Sequence, residues 1–374
     1  MDYRVCSNCV MDTTDSDITF NSEGVCDHCL TFEEKISPFW DNSDSRLNEI
    51  LKISENIKLK GRGKDFDCII GMSGGIDSSY LVYLAKEKLD LRPLVFHVDA
   101  GWNSQEAVNN IEKIVDGLGL DLYTEVINWE EMKDLQLSFF KSGVPHIDTP
   151  QDHAFFATMY KFANKYKVSH ILTGANYSTE SIRNPKEWMY YQSDSTQIRS
   201  IHKKYGNLDL KLFPLTNIIW HKLYLPFFKG IKVYRPLDFM KYEKEEATQF
   251  LVDNYGYQRY AQKHFESRFT SFYEGFWLYE RFGYDVRKVQ FSSLIFLSPF
   301  IFFIPLKETK LQKGIPLVYL VLAILLGFSL LKTRRYYQEA HLSPPKEAGR
   351  YKASIQQNDL PVFYHWSAEK WDFY

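Results

Sequence analysis

The chain has 374 residues, 45% of them hydrophobic and 25% charged, with a formal net charge of −2. That is the mixture of an ordinary soluble protein of one or two globular domains, long enough to bury a sizeable core. The absence of a basic surplus argues against a protein built to grip a large nucleic acid, although a local basic face fits inside a neutral total.

Residues 1–35 read as a compact knob. Cys6 and Cys9, then Cys26 and Cys29, stand as two CxxC pairs, the spacing of a four-cysteine zinc knuckle or ribbon. Each CxxC turn can place two thiolates on one side of a tetrahedral ion, and the polar segment around them is too poor in apolar residues to fold without one. With four protein ligands and no open position, a Zn²⁺ here is structural. The opening MDYRVCSNCVMD lacks the apolar core of a signal peptide, so the cytoplasm is the expected compartment.

Residues 36–60 are polar, with a linking helix suggested by Leu47, Ile50, Leu51 and Ile53. From about 61 to 183 the texture is α/β. Strands are expected at 66–72, 94–98, 122–127 and 170–173, and helices at 76–88, 107–118 and, after a loop, 151–166. Alternation of this kind implies a doubly wound parallel sheet, with ligands at the carboxyl ends of its strands. Residues 184–290 read as a mostly helical substrate region.

The most informative stretch is CIIGMSGGIDSSY at 68–80. A buried strand runs into Ser73-Gly74-Gly75-Ile76-Asp77-Ser78-Ser79 and then a helix. Glycines let the backbone approach an anion closely, and the free N–H groups of the first helical turn point toward it. Neither a Walker A loop nor a GxGxxG motif is present. SGGxDSS after a strand resembles the PP-loop of the ATP-pyrophosphatase superfamily. The resemblance implies that Ser73, Gly74, Gly75, Asp77, Ser78 and Ser79 hold the pyrophosphate end of ATP, with Asp77 placing Mg²⁺; Asp77, Ser73 and Glu180 are the candidate catalytic residues. Two later strand ends fit the same site: Asp99 as a ribose or adenine contact, and Asn176 and Glu180 as further members of an oxygen-rich Mg²⁺ shell. Each of these three is equally readable as a surface-loop residue or helix cap.

Taken together, YRVCSNCVMDTTD, MSGGIDSSYL, VDAGWNS, TPQDHAFFATMYKFA, ILTGANYSTES and YAQKHFESRFTSFYEGFWL resemble the N-acetyl sugar amidotransferases of bacterial surface-polysaccharide synthesis, over roughly residues 1–295. That resemblance implies conversion of an acetamido group on a nucleotide-linked sugar into an acetamidino group through an adenylated intermediate. Asp152, His153 and Arg183, with Lys263, His264 and Arg268 from the run KHFESR, are the candidate sugar contacts. A solvated helical face with Phe265 and Phe269 beneath is the alternative for that run. No cysteine sits in a glutaminase setting and position 2 is Asp, so ammonia is expected from a separate glutaminase subunit. The resemblance implies partners like the glutaminase and cyclase halves of imidazole-glycerol-phosphate synthase. Two other functions compete: a tRNA-modifying PP-loop thiolase, and a non-catalytic ATP-binding subunit of a glycan-assembly complex. Thiolation calls for further cysteines, and outside the knob only Cys68 remains, within a strand.

After FSSLI the chain departs from the family pattern. Residues 291–335 hold two apolar runs, 291–306 and 315–331, followed by KTRR. A membrane hairpin contacting the bilayer through 291–331, buried helices, and a frame-disrupted tail all remain open. Residues 336–374 read as a polar tail.

Overall fold

The computed structural model describes residues 3–188, 191–260 and 266–296. Its centre is a five-stranded parallel sheet in the order β3-β2-β1-β4-β5. The strands are β1 (Cys68–Gly71), β2 (Pro93–Asp99), β3 (Leu122–Val126), β4 (His170–Leu172) and β5 (Lys232–Tyr234). Side chains alternate across β1: Cys68 and Ile70 join the cluster on one face, Ile69 the cluster on the other. Period two with both faces apolar is what a sheet covered on both sides requires.

On one face lie α2 (Leu47–Gly61), α3 (Ile76–Tyr83), α4 (Gln105–Gly117) and α9 (Lys244–Tyr255), through Ile50, Ile57, Leu81, Ile111 and Leu251. On the other, α6 (Thr149–Lys165) applies Met159 and Phe162 to Phe96 and Ile171. This is the doubly wound α/β fold. The helix after β1 continues past Tyr83 as one wider π turn, Leu84–Lys88. Most element ends fall within two residues of the expectation.

Two elements differ from the sequence reading. The stretch taken as a loop before 151 contains α5 (Trp129–Ser142). Its start is fixed by Asn128, whose side chain accepts from the Glu131 N–H, and its end by Gly143 at φ +72°. Met132, Leu135 and Phe139 form its buried face. Residues 184–290 also hold a fifth strand: β5 adds to the sheet edge, with His170 opposite Lys232 and Leu172 opposite Tyr234.

A second core joins the N-terminal knob, with α1 (Asp27–Lys35), to α5 and to the C-terminal helices α10 (Arg268–Phe272), α11 (Leu278–Phe282) and α12 (Val286–Ile295). Phe32 of α1 stacks on Phe296 at 4.2 Å. Lys288 pairs with the buried Asp12, and Ser292 Oγ accepts from the Val10 N–H at 3.3 Å. Residues 291–295 are the last turns of α12, and no helix among the described residues is long and apolar enough to cross a membrane. The remainder of the apolar stretch and the 336–374 tail lie outside the described residues.

Candidate functional site

The sheet delivers four loops to one edge, at the carboxyl ends of β1, β2, β4 and β5. The loop after β1 turns on Gly74, whose φ of +85° places it in the left-handed region that favours glycine. Space enforces the same choice, since a methyl group at Gly74 would fall 2.7 Å from the Ala107 carbonyl oxygen of α4. Gly75 then starts α3 with no side-chain cap, so the first N–H groups of the helix are left to the loop itself or to an anion. Ser73 and Ser78 brace the turn, their hydroxyls 3.2 Å apart, and Gly75 N–H donates to Ser73 Oγ at 3.2 Å. Ser79 Oγ is buried with no hydrogen-bond partner among the described residues.

Residues far along the chain hold the loop from above. Tyr257 and Tyr260 both donate to the Gly74 carbonyl, at 3.2 and 3.0 Å. Glu266 lies over Gly75, where an added methyl group would meet its Oε1 at 2.9 Å. Asp77, on the first turn of α3, accepts at Oδ1 from Tyr242 Oη at 2.6 Å and from Asn176 Nδ2 at 3.2 Å. Burial, reinforced by the Asp77 carboxylate, pushes the Tyr242 phenol well above its ordinary range, so it stays a donor.

The loop after β4 is built around Asn176. It is fully buried, caps the short helix α7 (Tyr177–Glu180) by accepting from the Thr179 N–H at 2.9 Å, and reaches Asp77 with its amide. Cap and site contact are therefore one residue. Glu180 is exposed at the end of α7. From the end of β5, Arg235 donates to the Ala175 carbonyl at 3.2 Å, covers the Tyr177 ring at 4.2 Å and pairs with Asp238 at 2.8 Å. Burial raises the Asp238 carboxyl to about 6 against the opposing pull of Arg235, with Glu180 adding to the rise. After β2, Asp99 accepts from the Gly101 N–H at 2.8 Å and from Asn103 Nδ2 at 3.0 Å. His97 is held neutral by burial; with Nδ1–H donated to the Met72 carbonyl, its Nε2 accepts from Asn103.

Ser73, Gly74, Gly75, Asp77, Ser78 and Asn176 are thus brought together, with Asp99 on the neighbouring strand end. The expected sugar contacts scatter. His153 is fully buried, with Nδ1 on the Gln192 carbonyl at 2.6 Å and Nε2 accepting from the Thr216 N–H at 3.0 Å. Asp152 accepts from Gln192 at 3.4 Å. Arg183 is exposed beyond α7. Arg268 has an exposed side chain, but its N–H donates to the Trp102 carbonyl at 2.8 Å, so it belongs beside the loop after β2. Lys263 and His264 lie outside the described residues.

The four knob cysteines are buried with their sulfurs within 4.8 Å of one another. Cys6–Cys29, Cys9–Cys26 and Cys26–Cys29 stand 3.7, 3.6 and 3.5 Å apart. Sulfurs set tetrahedrally about 2.3 Å from one ion would be separated by about 3.8 Å, so the set fits zinc. N–H groups of Asn8, Met11 and Cys26 point at these sulfurs, as expected around thiolates.

A parallel sheet whose central strand runs through a Ser-Gly-Gly turn into a helix, with a carboxylate in the first turn of that helix, is the PP-loop arrangement. The comparisons agree. Residues 67–229 match the phosphoadenosine phosphosulfate reductase domain family, and 266–298 match the C-terminal domain described as LPS biosynthesis protein WbpG-like. Among curated proteins, an uncharacterised protein of Methanocaldococcus jannaschii is 33% identical over 31% of this chain and 40% of its own length. A tRNA-specific 2-thiouridylase of Fusobacterium nucleatum is 29% identical over 30% and 34%, and an NH3-dependent NAD⁺ synthetase of Methanococcoides burtonii is 29% identical over 26% and 34%. The chain spans only a third to two-fifths of these relatives. Two solved structures also align. An NH3-dependent NAD synthetase from Campylobacter jejuni has a TM-score of 0.29 at 13% identity, over 55% of this chain and 83% of that one. An NMN synthetase from Francisella tularensis has a TM-score of 0.27 at 14%, over 58% and 97%. Residues 67–229 thus resemble the phosphoadenosine phosphosulfate reductase domain, and residues 266–298 resemble the C-terminal domain of the WbpG-like lipopolysaccharide-biosynthesis proteins.

Proposed function

We propose that this protein is an ATP-dependent amidotransferase that converts an N-acetyl group of a nucleotide-linked sugar into an acetamidino group, using ammonia from a partner glutaminase. The observation that carries the reading is the braced Ser73–Ser79 turn, its Asp77 held by Asn176, joined in one chain to the segment 266–298. One curated relative is named as NH3-dependent, which supports ammonia as the incoming nucleophile.

An amide carbonyl is a poor electrophile. Its oxygen attacks the α-phosphorus of ATP, pyrophosphate leaves, and the resulting imidoyl adenylate is attacked by ammonia with loss of AMP. The loop N–H groups and the Ser73 and Ser78 hydroxyls receive the developing pyrophosphate charge, and the pinned Gly74 carbonyl keeps them aimed without reorganisation. Asp77 and Glu180 offer the hard oxygen donors suited to Mg²⁺, which when bound would neutralise phosphate charge. Tyr242 and Asn176 fix Asp77 by occupying one oxygen. Zn²⁺ in the knob is structural. The cytoplasm, where ATP is supplied, is the expected compartment.

A second reading, tRNA thiolation, takes support from the thiouridylase relative. Against it, Cys68 is fully buried in β1, and burial raises its thiol far above the reactive range. Incubation with ATP, Mg²⁺, ammonium and a panel of nucleotide diacetamido sugars separates the readings. AMP that appears only with a sugar supports the amidotransferase. AMP that appears only with tRNA supports thiolation, and no AMP under any condition leaves a non-catalytic ATP-binding subunit.

A further inference from the structure

The helical segment Trp220–Phe228 is anchored on one side and bare on the other. Leu225 is fully buried beside Ile231 and the half-buried Tyr224, in the cluster of Ile69, Leu94 and Phe96. Outward, Phe227 and Phe228 are each 77% exposed and Ile219 70%. Trp220, Tyr224 and Phe228 stack at four-residue intervals, with centroids 4.1 and 5.6 Å apart. The outer rings are thus a row held from beneath, and apolar surface so held marks a contact.

Charge decides what kind of contact. Between residues 195 and 235 the sequence carries eight Lys or Arg and a single acid, Asp209, in a chain of net charge −2. Six of the eight are Lys, and Lys203, Lys204, Lys211, Lys229 and Lys232 are exposed. Contacts between proteins favour aromatics with Arg and are depleted in Lys. Lys229, whose ammonium lies 5.8 Å from the centre of the Tyr224 ring, and Lys232 flank the row itself. Lysines beside Trp, Tyr and Phe are instead the composition of a surface that lies in lipid headgroups, with rings at the acyl boundary and ammonium groups on phosphates. We propose that this face docks on an anionic phospholipid bilayer, peripherally and with no segment crossing it.

Sedimentation of the full-length protein with vesicles tests this. Binding to phosphatidylcholine vesicles containing a quarter phosphatidylglycerol should exceed binding to pure phosphatidylcholine at least about tenfold, and should fall in high salt, as expected for several lysines near an anionic surface. The pair Phe227→Ser with Phe228→Ser, and separately Lys229→Glu with Lys232→Glu, should each cut that binding about tenfold while ATP affinity by calorimetry is unchanged. Unaltered vesicle binding in both pairs would place any membrane contact elsewhere and overturn the proposal. So would absence of binding by the parent protein. A dimer in light scattering that the Phe pair abolishes would assign the face to a second copy of the chain instead.

Discussion

Gly74 is fixed by two independent constraints, its left-handed φ of +85° and the Ala107 carbonyl against its missing side chain. Strain and overpacking each cost about 1–3 kcal/mol. Gly74→Ala is therefore expected to lower stability by several kcal/mol in denaturant titration and to abolish ATP binding by calorimetry. Asp77 behaves differently. Asn at that position still accepts from Tyr242, so Asp77→Asn should keep its melting temperature within a few degrees while AMP formation falls at least about 100-fold, the order seen when a charge-stabilising group is removed. Turnover near the parent rate would remove Asp77 from the proposed metal site. The loop residues were legible because they are contiguous and each glycine or hydroxyl has a local reason. Tyr242, Tyr257 and Tyr260 were not. They lie 165 to 186 residues from the groups they hold, and no local pattern distinguishes them from the other tyrosines. Glu266 stood inside the run KHFESR, yet only the fold sets it over Gly75.

At the scale of elements, the knob and the loop after β1 are connected. The knob holds α12 through Lys288, Ser292 and Phe296, and Ser293 Oγ of α12 accepts from the Ile182 N–H at 2.9 Å, just past α7. Asn176, the cap of α7, in turn bonds Asp77. Removal of zinc by a chelator, or Cys26→Ser, is expected to raise amide hydrogen exchange first in residues 3–35, then in 286–295 and 177–182, with β1 and β2 still protected. Unchanged exchange in 177–182 after complete zinc loss would show that α7 stands without the knob. The strands with long apolar runs were readable from sequence, as was the knob from cysteine spacing. Helix α5 carried a readable signal in Asn128, Gly143 and the Met132, Leu135, Phe139 spacing. The edge strand β5 did not: three residues, Lys-Val-Tyr, two of them exposed, gain their strand conformation from pairing with β4.

Across the whole molecule, pH should act mainly through buried histidines. His170, in β4, is lowered to about 4, first by burial and then by Lys60, Lys232 and Lys64, and burial also lowers His97, His146 and His153. An unfolded histidine titrates near about 6.5. Above that pH both states are neutral and the fold has its full stability. As pH falls, the unfolded chain takes up protons first, so stability declines until His170 itself titrates near 4. Asp238 works the other way. Its carboxyl, raised to about 6, makes the ionised form costly in the fold, so its contribution is present at low pH and is lost as pH rises through 6. Four histidines outweigh one carboxyl, and the melting temperature is expected to drop between pH 7.5 and 5. His170→Asn should make that drop shallower, because the side chain that resists protonation is gone. Asp238→Asn should make it steeper, by removing the opposing contribution. Any proton uptake by the four knob cysteines is common to all three proteins and cancels in the differences. Equal slopes in the parent and His170→Asn would mean that His170 is not held neutral by its burial in β4.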